Sequence, residues 1–216
     1  MDVYRTEEEQ VEALKKWWQE NGKSIIFGIT LGLAGIFGWR AWQDHRIQQA
    51  EVASQLYQEV IIALRDKKDI DGAKEKANQL ITEHGTSEYA LFAHMILAKM
   101  AVDAEDYAVA EEKLQWALDH SAGESMRHLV RLRLARVLAT QEKYSEALDL
   151  LNRKERGEFT SEYDELRGDI LRLQGDFAAA RTAYQEALSN RQLTTRQEEL
   201  SLLEMKLDDL GRTEPQ

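Results

Sequence analysis

Between Ser24 and Trp39 the chain reads SIIFGITLGLAGIFGW, sixteen consecutive residues without a charge. A run of this kind dictates where the chain can live before anything else is read from it. At about 1.5 Å per helical residue it covers roughly 24 Å, short of a hydrocarbon core of roughly 30 Å. The flanks make up the difference. Lys23 and Arg40 carry long stems that snorkel toward the two interfaces, extending the span to about Gly22–Gln43. Trp17 and Trp18 precede the run while Trp39 and Trp42 close it, so four of the five tryptophans make an aromatic belt. The pattern predicts one transmembrane helix over residues 23–43. A buried core helix would need an apolar surround that the polar remainder of the chain does not supply. A cleaved signal peptide would need a short basic leader, yet the preceding residues carry more acids than bases, and the run continues past the loose Gly32-Leu33-Ala34 cleavage pattern.

Charge on the flanks sets an expected orientation. Arg5, Lys15, Lys16 and Lys23 lie before the span, against Arg40 and Arg46 shortly after it, which favours a cytoplasmic segment at 1–22 and a translocated remainder. Within that segment Val11, Leu14, Trp17 and Trp18 share one helical face. They predict an amphipathic helix in the lipid interface, ended at Asn21-Gly22, with Lys15 and Lys16 meeting anionic headgroups. Inside the span Gly28, Gly32 and Gly35 recur at i, i+4 and i+7, a small-residue stripe that lets a partner helix approach closely. Whether that partner is a second copy or another protein is open.

After the span the composition changes. Cysteine is absent, which excludes thiolate catalysis, cysteine-ligated metals and disulfides; Pro215 is the only proline. Acidic residues number 39 against 28 basic ones, a net charge of −11 that disfavours nucleic acid and predicts a basic or neutral partner surface for the array. Outside the span, Gly72, Gly85, Gly123, Gly157, Gly175 and Gly211 fall in short polar breaks, where helix ends call for a residue tolerant of positive φ. The fold class is therefore all-α.

A period runs through residues 44–216. Ala73, Ala110, Ala147 and Ala180 are 37, 37 and 33 residues apart. Three residues before each stands Ile70, Tyr107, Tyr144 or Phe177; four after each stands Ala77, Leu114, Leu151 or Tyr184. Twelve before each stands Ile61, Ala98, Ala135 or Gly168, small in all but the first unit. Small residues at facing positions let two helices cross closely, and the aromatic closes the turn between them. This is the spacing of tetratricopeptide-type hairpins. It predicts a solenoid of about four hairpins: 44–65 with 71–82, 87–101 with 107–120, 125–140 with 144–152, and 161–173 with 177–190. A last helix follows a capping box at Thr195 and Glu198, and its Leu200, Leu203 and Leu207 cover the open end of the stack.

No motif points to catalysis. Gly22-Lys23-Ser24 looks like the end of a phosphate loop, but Trp17 stands where its first glycine is required. His45, His84, His94, His120 and His128 show no metal-ligand spacing. The abundant carboxylates read as solvated helix faces.

The stretch Val11–Lys23 (VEALKKWWQENGK), the segment Gly38–Trp42 (GWRAW) and the order of the repeats resemble the YfgM family of ancillary SecYEG translocon subunits over essentially the whole chain. The resemblance implies a bacterial inner-membrane protein with its repeat domain, 44–216, in the periplasm. It implies association with SecYEG and with the membrane-anchored periplasmic chaperone PpiD, contact with translocating polypeptides, and a role in handing these to folding factors. No catalytic, cofactor or metal site is carried over. Two alternatives stand beside it: a cytoplasm-facing scaffold assembling soluble proteins or enzymes, and a membrane-bound enzyme built from scattered carboxylates or histidines.

Overall fold

The computed structural model describes residues 7–65, 69–152, 155–191 and 197–213, and all regular structure among them is helical. The first helix, α1, runs without interruption from Glu7 to Arg65. The expected stop at Asn21-Gly22 is absent. With no proline and no left-handed residue to end it, the helix continues, and Asn21 spends its side chain on the Trp17 carbonyl at 3.0 Å. Gly22 is buried under the Trp18 indole, where a Cβ would lie 3.1 Å from the ring. The chain divides into two compact units, 1–52 and 53–216.

The second unit contains the end of α1 and the helices α2 (Ile70–His84), α3 (Glu88–Asp103), α4 (Tyr107–Asp119), α5 (Glu124–Thr140), α6 (Tyr144–Leu151), α7 (Thr160–Leu173), α8 (Phe177–Arg191) and α9 (Gln197–Thr213). The second helix of every hairpin starts on the residue singled out by spacing: Ile70, Tyr107, Tyr144 or Phe177. Ala73, Ala110, Ala147 and Ala180 are all fully buried. In the second to fourth hairpins the inter-helix turn is one motif repeated. Glu105, Glu142 and Gly175 take φ of 59°, 61° and 83°. The next residue's N–H reaches back five positions, Asp106 to Ala101, Lys143 to Leu138 and Asp176 to Leu171, at 2.8–3.0 Å. These are Schellman closures. Asp106 and Asp176 then turn and cap the following helix through Val109 and Ala179.

Of the six glycines placed in breaks, four serve other ends than the expected positive φ. Only Gly157 and Gly175 have positive φ. Gly72 and Gly211 lie inside α2 and α9, Gly85 is right-handed at the end of α2, and Gly123 is the extended residue that opens α5. Gly168 of α7 has a packing reason: a Cβ there would sit 2.5 Å from the Tyr184 ring, so α7 and α8 cross at a point with no room for a side chain. In the first hairpin Ile61 does not take the crossing position. Val60 and Ala63 are the buried neighbours, and Val60 shares a core with Ala53, Ala77, Leu80, Ala93 and Leu97.

The main core runs from α3 to α7 around Leu114, Leu134, Leu138, Tyr163 and Ile170. A third core joins α8 to α9 through Tyr184, Leu203 and Leu210, so α9 is the expected covering helix. Lys206 fastens it, donating to Glu165 at 2.9 Å and to both oxygens of Asp169 at 2.6 and 2.9 Å. Thr195 and the side chains of Glu198 and Leu200 lie outside the described residues.

Candidate interaction site

The apolar part of α1 has a mean hydropathy of 1.5 over its best 18-residue window, and none of that window is buried. Ile26, Phe27, Ile29, Leu31, Ile36 and Phe37 are all more than half exposed. An unbroken apolar surface of this kind is unfavourable in water and at home in lipid. That exposure speaks against the core-helix alternative. Thr30, a polar residue in the middle of the run, donates its hydroxyl to the Ile26 carbonyl at 2.8 Å, so it presents no free donor. Trp17, Trp18, Trp39 and Trp42 are each about half exposed or more. On one continuous helix the 21 positions from Trp18 to Trp39 measure about 31 Å, close to the thickness of a hydrocarbon core. Lys23 and Arg40 are exposed at the two ends of the run. Trp39 stacks obliquely on Trp42 at 5.0 Å, and Arg46 lies 5.0 Å from the Trp42 ring, a basic neighbour beyond the predicted anchors. At Gly28, Gly32 and Gly35 an added Cβ would meet nothing within 4 Å, which leaves that stripe open along its length.

The solenoid carries several surface grooves. Among the described residues no three His, Asp or Glu side chains are grouped to hold a metal ion. One groove of about 540 Å³ is walled by Leu91 and Phe92 of α3, Trp116 of α4 and Met126 of α5. Behind it Trp116 is sandwiched between His94 at 3.8 Å and His120 at 4.0 Å, both near parallel. His94 is 5% exposed and neither ring nitrogen finds a hydrogen-bond partner among the described residues. Burial pushes its pKa down to about 4, with Lys113 and His120 acting in the same direction.

A second cleft, of about 330 Å³, opens between α3 and α5 over Leu114. Its rim is basic: Lys99 on α3, Arg133 and Arg136 on α5. Sequence reasoning passed over these residues because they form no motif, although a signal exists. Helix α5 holds Arg127, Arg131, Arg133 and Arg136 against Glu124 alone, in a chain of net charge −11. Structure separates the four. Arg127 pairs with Glu124 and bonds the Ser121 carbonyl, and Arg131 donates to the Tyr163 hydroxyl at 3.0 Å. Arg133 and Arg136 are exposed, one turn apart, and burial of the Arg133 stem together with the Arg136 charge lowers the Arg133 pKa.

Polar ties join the helices of the stack to one another. The Tyr163 hydroxyl meets His128 at 2.8 Å as well as Arg131, joining α7 to α5. Asp164, 3% exposed, is enclosed by Arg156 at 2.6 Å, Arg167 at 3.0 Å and Asn190 at 3.1 Å. Gln141 and Lys143 both donate to Glu111, at 2.8 and 2.7 Å, tying the third hairpin to the second.

Residues 15–212 match the family model described as a tetratricopeptide repeat-like domain. Proteins named ancillary SecYEG translocon subunit are similar from end to end. That of Haemophilus influenzae is 35% identical over 96% of this chain and all of its own length. That of Aggregatibacter actinomycetemcomitans is 33% identical over 96% of this chain, and that of Escherichia coli 30% identical over 98%, each over its full length.

Proposed function

The chain belongs to the tetratricopeptide repeat-like family of ancillary SecYEG translocon subunits, and from that membership we propose that it is an inner-membrane accessory of the translocon whose solenoid works by binding other proteins. Residues 23–43 cross the membrane, 1–22 stay in the cytoplasm, and 44–216 stand in the periplasm. Trp17, Trp18, Lys23, Trp39, Arg40 and Trp42 hold the span at the two interfaces, and Gly28, Gly32 and Gly35 face a helix of the complex. The solenoid binds the chaperone PpiD and passes emerging polypeptides to periplasmic folding factors.

The observation that carries this reading is the end-to-end likeness to ancillary SecYEG translocon subunits, anchor included. The exposed apolar surface of α1 and the larger number of Lys and Arg residues before residues 24–39 than shortly after them, four against two, support the topology. A reporter enzyme that is active only in the periplasm, fused after Gln216, tests it. Activity is the expected result. An inactive fusion that is nevertheless expressed in the membrane would select the cytoplasm-facing scaffold instead.

A further inference from the structure

The cleft between α3 and α5 has a basic rim in a chain of net charge −11. Its walls are apolar, with Met95, Val102, Leu114 and Val137 meeting there, and Val102 is 37% exposed. Arg133 and Arg136 stand over it one helical turn apart, and among the described residues neither guanidinium has a salt bridge or hydrogen-bond partner; only the Arg136 backbone carbonyl accepts, from the Thr140 hydroxyl at 3.0 Å. Lys99, across the cleft, is satisfied locally by Asp103. Two guanidinium groups side by side on one helix repel each other. In a chain with 39 acids, a pair that finds no carboxylate among the described residues marks a place where the anion comes from outside.

We propose that this cleft binds an acidic segment of another polypeptide, seating one of its apolar side chains against Val102 and Val137 while its Asp or Glu carboxylates pair with Arg133 and Arg136. The volume of about 330 Å³ lies at the small end of ligand sites, enough for a side chain or two and too small for a folded element. An apolar floor with a charged rim on one side fits a peptide that alternates the two characters. A lipid headgroup, by contrast, would bring no side chain for the floor. The partner expected from net charge alone is basic or neutral, and here the local arrangement overrides that average. The inference rests on the reading of the solenoid as a protein-binding module and names the chemistry of one of its sites.

The test uses the purified full-length protein in detergent and a fluorescein-labelled peptide of alternating glutamate and leucine, followed by anisotropy. Binding should weaken about tenfold or more when glutamine replaces glutamate, and likewise in the R133Q/R136Q variant. Serine in place of leucine should weaken it too, as should Val102→Asp. Arg133 and Arg136 are exposed, so the double variant keeps its helical circular dichroism. Equal affinity for the glutamate and glutamine peptides, or no change in the double variant, overturns the proposal. So does Arg133/Arg136-dependent binding to phosphatidylglycerol vesicles without binding to the peptide. Because no translocon is present, any of these failures leaves the anchor and its topology untouched.

Discussion

Glu105 and Glu142 hold the left-handed turn position that Gly175 holds in the fourth hairpin. A side chain in that conformation costs roughly 1–2 kcal/mol, part of which a glycine would return as unfolded-state entropy. Glu142 is exposed, so Glu142→Gly should raise stability by about 0.5–1 kcal/mol in urea unfolding of the detergent-solubilised protein. A lower midpoint would mean that the glutamate is compensated by a contact of its own. His94 supplies a pH dependence. With a folded pKa of about 4 against an ordinary 6.5, the unfolded chain takes up a proton that the fold refuses. The contribution of His94 is therefore complete above pH 6.5 and is lost as the pH drops from 6.5 toward 4, by at most on the order of 3 kcal/mol. His94→Phe keeps the stack on Trp116 and should flatten that decline; an equally steep loss in the variant would place the acid sensitivity elsewhere. Neither feature is legible in the sequence. A glutamate in a turn and a histidine on an apolar face carry no signal of φ or of missing partners.

Helices were easier to read than their ends. The alanine and the large apolar residue three before it recur because a hairpin needs a close crossing and a closed turn, so the start of each second helix follows from spacing to within one residue, Ile70 against an expected 71 in the first hairpin. The first hairpin departs from the pattern at Ile61, and there the buried positions shift to Val60 and Ala63. Asn21-Gly22 reads as a stop, yet in α1 the helix gains more by continuing under Trp18. The basic rim of α5 was countable but hidden, because only the fold shows which arginines are already paired. For α9 the decisive contact is long-range. Lys206 is held by Glu165 and Asp169, and Asp169 also accepts from Tyr184. Lys206→Ala should cost about 1–3 kcal/mol and speed amide exchange in α9 by about tenfold or more, leaving α3–α5 unchanged. Uniform acceleration along the solenoid would instead mean that the cap and the stack open together.

As a whole the molecule joins a lipid-suited helix to an acidic stack of hairpins, and its sequence announces both parts because each obeys a simple period. The binding surfaces obey none, since they depend on which side chains the stack leaves unsatisfied. The central claim is that these two parts act at the translocon. The direct measurement is photo-crosslinking in intact membranes from probes placed at Gly28, where nothing of this chain would crowd the side chain, and at Val109, 36% exposed on α4. The expected result is a SecYEG adduct from Gly28 and a periplasmic protein adduct from Val109. Adducts to lipid and to this chain alone, or cytoplasmic proteins captured from Val109, would contradict the account.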